Sequence, residues 1–334
     1  MSITVLKPGM LTTVQDGGRF GFQHFGVPVA GAMDDFSHRV ANILAGNEQD
    51  AATLEITLRG PRLRFDDDAL IALCGAELSP RIGGTAVPAG KPLHVRAGAE
   101  LGFGESMAGC RAYLAVHGGI DVPVVMGSRS TYDTAHIGGV EGRALREGDV
   151  LPVGDGDAPP YPGLRLQLEH ARHAFAAPKW SVNQHGEKLG RSPQVVRILP
   201  GRHWDAFPVA ARDTLTGSAF RLAVESNRMG CRLDGPAVMA DGSLEILSEA
   251  VSFGTIQVPP SGKPIVLMAD RQTVGGYPKI ADVAGIDLHL LAQLRPGDRI
   301  RFELISLAQA QALWRKREQE IITIREAVEK HLAE

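Results

Sequence analysis

The chain has 334 residues, of which 22% are charged, and its 35 Lys and Arg against 38 Asp and Glu leave a net charge of −3. Because this balance comes without a long basic run, nucleic acid and anionic membranes are not expected partners. The start of the chain lacks a signal-peptide pattern, and no apolar run reaches the roughly 18 residues of a membrane span, so we expect a cytoplasmic protein.

Composition favours β-structure over long helices. The chain holds 39 Gly and 21 Pro but only 5% aromatic residues, which is typical of many short strands joined by turns. Cys74, Cys110 and Cys231 are an odd number without CxxC spacing. They predict neither a disulfide framework nor a zinc site, and we expect no metal.

The first unusual segment is Gly9 to Asp34, which sets Asp16, Arg19 and Asp34 among several glycines. Glycine allows close backbone approach and positive φ at an entropic cost. Charges placed in such a segment indicate a shaped site, although a glycine-rich turn with solvated charges is the alternative. A carboxylate beside a guanidinium favours both charged forms, and the guanidinium is a bidentate donor for carboxylate or phosphate.

A helix is predicted over Asp35 to Leu44, with Asp34 as its N-cap. Short apolar runs bounded by Gly, Pro or charged residues predict strands, several of them buried on both sides. These runs are 54–58, 69–73, 112–116, 195–199, 254–258 and 264–269.

A stretch rich in Pro, Gly and Asp, 152–165, is typical of an exposed linker. We therefore predict an N-terminal domain over 1–155, a linker over 156–192 and a C-terminal domain over 193–305. Two turns, Leu145–Asp149 and Leu294–Asp298, repeat the pattern Leu-Arg-x-Gly-Asp before a strand. This repeat favours two related β-rich domains.

The tail, 306–334, has no Gly or Pro and consists mostly of helix formers. Leu307, Trp314, Ile321 and Val328 recur every seven residues and predict an amphipathic helix. The apolar face packs on its own domain, or else it is presented to a partner chain.

Three further clusters carry polar side chains in glycine-rich loops. Hydroxyl and guanidinium donors beside Gly127 suit an anionic group, and an Asn-Arg pair suits an amide or carboxylate. In the third cluster, charged residues follow a buried strand into a double-glycine loop, an arrangement frequent at functional sites. The residues are Ser128 and Arg129, then Asn227 and Arg228, then Asp270 and Gln272.

Several known motifs are missing. The sequence has no GxxxxGK[ST] phosphate loop, no GxSxG elbow and no Ala-Met-Lys-Met context for covalent biotin. The motifs that are present together resemble the 5-oxoprolinase C-subunit family, also called allophanate hydrolase subunit 2, Kip anti-inhibitor-like or biotin-dependent carboxyltransferase-like. These motifs are TTVQDGGR at 12–19, GVP at 26–28, GAMD at 31–34, GGIDVP at 118–123, GSRS at 127–130, SNRMG at 226–230 and DRQTVGGYP at 270–278.

The resemblance implies two cyclophilin-like β-barrel domains, in agreement with the strand-rich pattern. It also implies two partner chains, the A and B subunits of 5-oxoprolinase, of which the B-type chain is Kip inhibitor-like. Their complex opens 5-oxo-L-proline to L-glutamate at the expense of ATP. Nucleotide binding is then expected at the level of the complex, without covalent biotin on this chain.

Members that act on urea read Pro-Asp-Gly-Pro-Ser-Leu-Gly-Gly-Phe where this chain has Asp270 to Tyr277. The sequence here is similar to the stand-alone 5-oxoprolinase branch, apart from Val274 where Thr is commoner. Two alternatives stay open: a regulatory partner of a kinase inhibitor, and a component of a urea or amide carboxyltransferase. A prolyl isomerase is the weakest reading, because fold does not fix function.

The resemblance and the loop chemistry together predict the site. We expect guanidinium, hydroxyl and amide groups to bind the substrate and three carboxylates to orient groups or move protons. The predicted binding residues are Arg19, Ser128, Arg129, Asn227, Arg228 and Gln272, and the predicted catalytic residues are Asp16, Asp34 and Asp270.

Overall fold

The structure is a computed structural model that describes residues 1–156, 161–170, 173–183, 193–240 and 246–332. The chain divides into two compact units, and both are discontinuous in sequence. The first contains Met1–Arg19, Asp34–Leu189 and Gln319–Glu334, and the second contains Phe20–Met33 and Gly190–Glu318. The prediction of a mainly β protein is confirmed.

The first unit contains two six-stranded sheets. In one, the strand order is β11-β1-β4-β9-β6-β7, and in the other it is β12-β8-β5-β10-β3-β2. The strands are β1 (Ser2–Lys7), β2 (Leu11–Gln15), β3 (Thr53–Thr57), β4 (Arg62–Phe65), β5 (Ala69–Glu77), β6 (Arg81–Ile82), β7 (Thr85–Ala86), β8 (Pro92–Val95), β9 (Glu100–Gly102), β10 (Ala108–Val116), β11 (Val150–Pro152) and β12 (Phe175–Ala176). The helices within it are α1 (Asp35–Leu44) and α2 (Pro162–His170).

The core of the first unit comes from alternating apolar residues of these strands. In β4, for example, Leu63 and Phe65 are buried, while Arg62 and Arg64, which alternate with them, are exposed. Strand β5 is buried over most of its length, as the continuous apolar run at 69–73 predicts. Helix α1 has the predicted bounds, because the Asp34 carboxylate accepts the N–H of Ser37 at 3.0 Å.

The second unit is built on a closed barrel with the strand order β13-β20-β17-β18-β15-β14-β21, and a separate two-stranded sheet pairs β16 with β19. The strands are β13 (Gln194–Pro200), β14 (Ala219–Leu222), β15 (Gly230–Asp234), β16 (Glu249–Ala250), β17 (Thr255–Gln257), β18 (Ile265–Leu267), β19 (Val274–Gly275), β20 (Lys279–Val283) and β21 (Arg299–Leu304). The helices are α3 (Val209–Gly217), α4 (Leu288–Ala292) and the start of α5 (Leu307–Leu332).

The core of the second unit draws on both of its sequence segments. Phe220 and Phe302 pack together with ring centroids 5.9 Å apart. Met33, from the short segment 20–33, is buried in the same cluster. The barrel core is therefore completed by residues that lie more than 150 positions earlier in the chain.

This division differs from the one predicted. Of the predicted linker, 156–192, the described residues include α2 and β12, and β12 pairs with β8 of the first unit. Backbone pairing joins this part of the chain to the first unit, whereas a linker would have few contacts. Residues 157–160, 171–172 and 184–192 lie outside the described ranges.

The repeated turns have the same structure in the two units. The carboxylates of Asp149 and Asp298 accept the backbone N–H three residues earlier, at 2.7 and 2.8 Å. The glycine before each aspartate has φ of +89° or +93°, in the region that glycine adopts at little cost. A strand follows each turn, so the Leu-Arg-x-Gly-Asp pattern predicts one local structure used twice.

The C-terminal helix α5 is present, and part of its predicted apolar face is buried. Ile321 and Val328 are 1% exposed, whereas Leu307 and Trp314 are 63% and 42% exposed. A straight helix drifts by about 20° per heptad, so residues spaced by seven leave a common face over four turns or more. Among the described helices, none combines the length and the apolar character needed to cross a membrane.

Candidate functional site

In the first unit, the Asp16 carboxylate joins two of the glycine-rich loops. It accepts the hydroxyls of Ser128 and Ser130 at 2.7 and 2.5 Å, and the backbone N–H groups of Arg129 and Gly18 at 2.5 and 2.9 Å. Burial opposes ionisation, but these four hydrogen bonds outweigh it and hold the pKa of Asp16 below its usual range. Asp16 is therefore a charged acceptor that fixes the 128–130 loop.

Two of the arginines predicted to bind substrate donate hydrogen bonds to oxygen atoms of the protein itself. Arg19 is fully buried and donates from Nε to the carbonyl of Val125 and from Nη2 to the carbonyl of Ser130, both at 2.9 Å. The side chain of Arg129 donates from Nη2 to Asp121 Oδ1 at 2.9 Å. These contacts build the loop after Asp121, and they place Arg19 together with Asp16, Ser128 and Arg129.

Asp34 caps helix α1 in a fully buried position. Its carboxylate accepts the backbone N–H and the hydroxyl of Ser37, at 3.0 and 2.7 Å. Its own N–H donates to Tyr113 Oη at 2.8 Å, and the Tyr113 hydroxyl donates to Glu55 at 2.7 Å. The structure thus connects Asp34 to a buried polar network that sequence reasoning missed.

A buried histidine of α1 adjoins this polar network. His38 Nδ1 lies 3.0 Å from Thr53 Oγ1. Burial lowers the pKa of His38 to about 4, although nearby carboxylates, Asp16 first among them, raise it. Strand β3 carries a sequence signal for this network. Thr53 and Glu55 are polar residues next to apolar ones, and the whole strand is buried.

In the second unit, Arg228 and Asp270 form a buried bidentate pair. Arg228 donates from Nε and Nη2 to the two carboxylate oxygens of Asp270 at 2.8 and 2.9 Å, and Nη2 also donates to the carbonyl of Gly31 at 2.7 Å. Each side chain is 9% exposed. One guanidinium therefore ties together three predicted motifs that are far apart in sequence.

The other two predicted residues of this unit differ in surroundings. Asn227 Oδ1 accepts the N–H groups of Met229 and Gly230 at 2.8 and 3.3 Å, which closes the turn before β15. Gln272 is exposed on the double-glycine loop that follows Asp270. Asn227 therefore has a structural role in its turn, whereas Gln272 faces solvent.

Sequence reasoning missed a second polar group beside that loop. Lys279 and Gln257 are paired across strands β20 and β17 and are 5% and 1% exposed. Glu249 lies 3.3 Å from Lys279 Nζ. The signal was a lysine directly after Gly-Gly-Tyr-Pro, at the start of a strand whose other residues are mostly apolar.

Metal and thiol chemistry have no assembled site in the described parts of the chain. No group of three or more His, Cys, Asp or Glu side chains is arranged there to hold a metal ion. The three cysteines are buried and free, and burial raises the pKa of the Cys74 thiol well above its usual value. Such a thiol behaves as a small apolar side chain.

Comparisons with known proteins identify the family of this chain. The family described as "Carboxyltransferase domain, subdomain A and B" matches residues 25–304. The C subunit of 5-oxoprolinase from Escherichia coli is 40% identical over 308 residues, which cover 92% of this chain and 93% of that protein. The corresponding 5-oxoprolinase chain of Haemophilus influenzae is 37% identical over 98% of this chain and 99% of its own length.

A solved structure extends the comparison to the fold. The urea amidolyase of K. lactis superimposes with a TM-score of 0.84 and 32% identity, over 97% of this chain but only 20% of that much longer one. The similarity in sequence and the similarity in fold therefore both extend over nearly the whole chain. The chain belongs to the carboxyltransferase-domain family, in the group that contains the C subunit of 5-oxoprolinase.

Proposed function

We propose that this chain is the C subunit of a cytoplasmic, ATP-dependent 5-oxoprolinase, which opens 5-oxo-L-proline to L-glutamate together with its A and B partners. The observation that carries the proposal is the 40% identity with the E. coli protein over 92% of the chain. The paired Asp270 and Arg228 support it, because they join by two hydrogen bonds two of the motifs on which the resemblance to that group rests.

The reaction explains why such rigidity is useful. A lactam is a stable amide, so ring opening near neutral pH needs activation, and phosphorylation of the lactam oxygen by ATP makes the ring carbon electrophilic. Catalysis of phosphoryl transfer rests mainly on positioning and charge stabilisation. Carboxylate–guanidinium pairs with fixed hydrogen bonds provide positioned charge at little reorganisation cost.

The motif residues divide into two roles in this proposal. Asp16, Arg19 and Asp34 are positioning residues, because their polar atoms bind backbone and hydroxyl groups of neighbouring loops. Gln272 is exposed and is the better candidate for direct substrate contact.

The three predicted arginines all bind protein oxygens, so they do not fit as a ready triphosphate cradle. Each of their guanidinium groups donates to a carboxylate or a carbonyl of this chain. We therefore assign ATP binding to the complex with the A and B partners, and derive no step of the reaction from these three side chains.

Co-expression of the chain with its A and B partners tests the proposal. Glutamate release from 5-oxo-L-proline should require ATP and all three chains. The similarity to urea amidolyase favours one competitor, an amide carboxyltransferase component. That function predicts urea carboxylation only when a biotin carboxylase and a biotin carrier are supplied, and it predicts no ATP-dependent glutamate release.

Substitution of Asp270 by Asn tests the loop cluster within that assay. Loss of one charge from the buried pair displaces Arg228, and a displacement of 1 Å in a catalytic site costs about 100-fold in rate. We expect ATP-dependent turnover to fall by about that factor. Asp234→Asn is the matched control, because Asp234 pairs with the exposed Lys263 at 2.9 Å. Unchanged turnover in the Asp270 variant would remove this residue from the mechanism.

A further inference from the structure

Strand β20 begins with a buried lysine that no motif predicted. Lys279 is paired with Gln257 of β17, and a register shift lies between Ile256 and Gln257. Further along the same two strands, the Thr255 hydroxyl donates to Asp282 at 2.7 Å. Cross-strand partners share a face of the sheet, so the shift brings Lys279 and Asp282, an odd number of residues apart, to one polar face.

The hydrogen-bonding capacity of this face is not used up. Lys279 Nζ lies 3.3 Å from Glu249 Oε2 and 3.4 Å from the carbonyl of Gly275, both longer than the 2.7–2.9 Å usual for charged pairs. An ammonium has three donors, and no third acceptor lies near it in the described ranges. Gln257 Nε2 is fully buried and has no hydrogen-bond partner within the described ranges.

The remaining side chains of this face carry charges of both signs. Arg202 Nε lies 3.2 Å from Glu249, so one carboxylate faces two cations. His203 Nδ1 accepts the backbone N–H of Lys279 at 3.1 Å, which leaves the ring hydrogen on Nε2. Burial, and then the charge of Lys279, lower the pKa of His203, so its ring is neutral near pH 7. With Asp282 included, Lys279 and Arg202 face two carboxylates, so the charges of this face balance.

The first glycine of the loop's Gly-Gly pair, Gly275, lies over Gln257. A Cβ on Gly275 would lie 2.5 Å from Gln257 Nε2, and one on Gly276 would lie 3.3 Å from the carbonyl of Ile246. Larger residues at either position would displace their neighbours. Gly275 therefore allows a close approach of the loop to an amide that lacks a partner.

An unsatisfied buried amide and a loosely held buried ammonium, side by side, call for an anionic acceptor. We propose that Lys279 and Gln257 bind the carboxylate of a small lactam acid, which is 5-oxo-L-proline if the function proposed above holds. The two donors would each meet one carboxylate oxygen.

The test is steady-state kinetics of the reconstituted three-chain complex with Lys279→Met, which keeps the length of the side chain and removes its charge. We expect KM for 5-oxo-L-proline to rise at least tenfold, with a smaller change in kcat and no change in KM for ATP. Lys279→Arg should recover most of the loss. Lys263→Met is the matched control, because Lys263 is 60% exposed in the same unit.

Three results would overturn the assignment. An unchanged KM for 5-oxo-L-proline in a folded Lys279→Met complex removes the site while the proposed function stands. A rise in KM for ATP instead identifies a phosphate site. If Lys279→Met does not fold, Gln257→Leu replaces it, with the same expected rise in KM, and an unchanged KM there rejects the proposal.

Failure of the proposed function itself is distinguishable. If the wild-type complex releases no glutamate, calorimetric titration of the full chain with 5-oxo-L-proline decides the site separately. Binding that Lys279→Met abolishes and Lys263→Met keeps supports the carboxylate site. Absence of binding to the wild-type chain overturns it.

Discussion

At the scale of single residues, Asp16 shows how a side chain predicted to be catalytic can instead organise a site. Its oxygens accept four hydrogen bonds, two of them from backbone N–H groups. A general base needs a lone pair directed at the substrate and a pKa near the working pH. Asp16 fits this role poorly, because three hydrogen bonds converge on Oδ1, one reaches Oδ2, and the pKa of the carboxyl is lowered.

Asp16→Asn should therefore affect stability. The variant loses the charge that strengthens these hydrogen bonds, and we expect a loss of about 2 kcal/mol in the free energy of unfolding. Asp121→Asn, at a half-exposed ion pair with Arg129, should cost less than about 1 kcal/mol. Urea unfolding followed by circular dichroism measures both, and equal effects would contradict this reading of Asp16.

The buried histidine predicts a pH dependence. The pKa of His38 is about 4 in the folded chain, below its usual 6.5, so the unfolded chain binds more protons between these values. Stability contributed by neutral His38 is complete above pH 6.5 and is lost as the pH falls toward 4. A difference of this size corresponds to about 3 kcal/mol.

His38→Gln should flatten that part of the profile. Urea midpoints measured from pH 4 to pH 7.5 should change less in the variant than in the wild-type chain. His24→Gln is the control, because His24 is exposed in the loop before Gly26. A wild-type slope retained in His38→Gln would assign the acid sensitivity to other groups.

At the scale of elements, local signals are strong enough to predict α1 and most strands. Asp34 caps the N-terminus of the helix that directly follows it. The Leu-Arg-x-Gly-Asp turns are closed by their own aspartates. Lys279 and Gln257 carry no such local signal. Their pairing depends on a register shift between two strands, which the sequence of either strand alone does not reveal.

The C-terminal helix gives an element-scale prediction. Ile321→Ala should lower the urea midpoint and cost about 2–4 kcal/mol, because a buried Ile leaves a cavity. Leu307→Ala, at a position 63% exposed on the same predicted face, should change the midpoint little. Equal effects of the two substitutions would mean that α5 buries both residues in solution.

At the scale of the whole molecule, the candidate site could be predicted only in part. The structure brings Asp16, Arg19, Ser128 and Arg129 together in the first unit, and Arg228 and Asp270 together in the second, while their catalytic and binding roles stay predictions. Composition predicts a linker over 156–192 but not the place of residues 20–33 in the second unit, because that segment is assigned by tertiary contacts of Met33 and Gly31.

The discontinuous second unit predicts the behaviour of fragments. A fragment covering 193–305 lacks Met33, which is 1% exposed in the barrel core, and the Gly31 carbonyl that accepts from Arg228. We expect it to unfold without a sharp transition, whereas 190–318 carrying residues 20–33 on a flexible linker should unfold cooperatively. Calorimetry distinguishes them. A cooperative transition of the shorter fragment at the same temperature would show that residues 20–33 are dispensable.

The same arrangement sets the order of events on the ribosome. Met33 leaves the exit tunnel roughly 150 residues before the barrel strands that surround it. At usual translation speeds, this delay is about 8 to 30 seconds. During that interval Phe20 and Phe25, which stay exposed even in the finished protein, travel on a nascent chain that has no barrel to dock on. Synthesis in the cell thus leaves this aromatic segment waiting for the rest of its own unit.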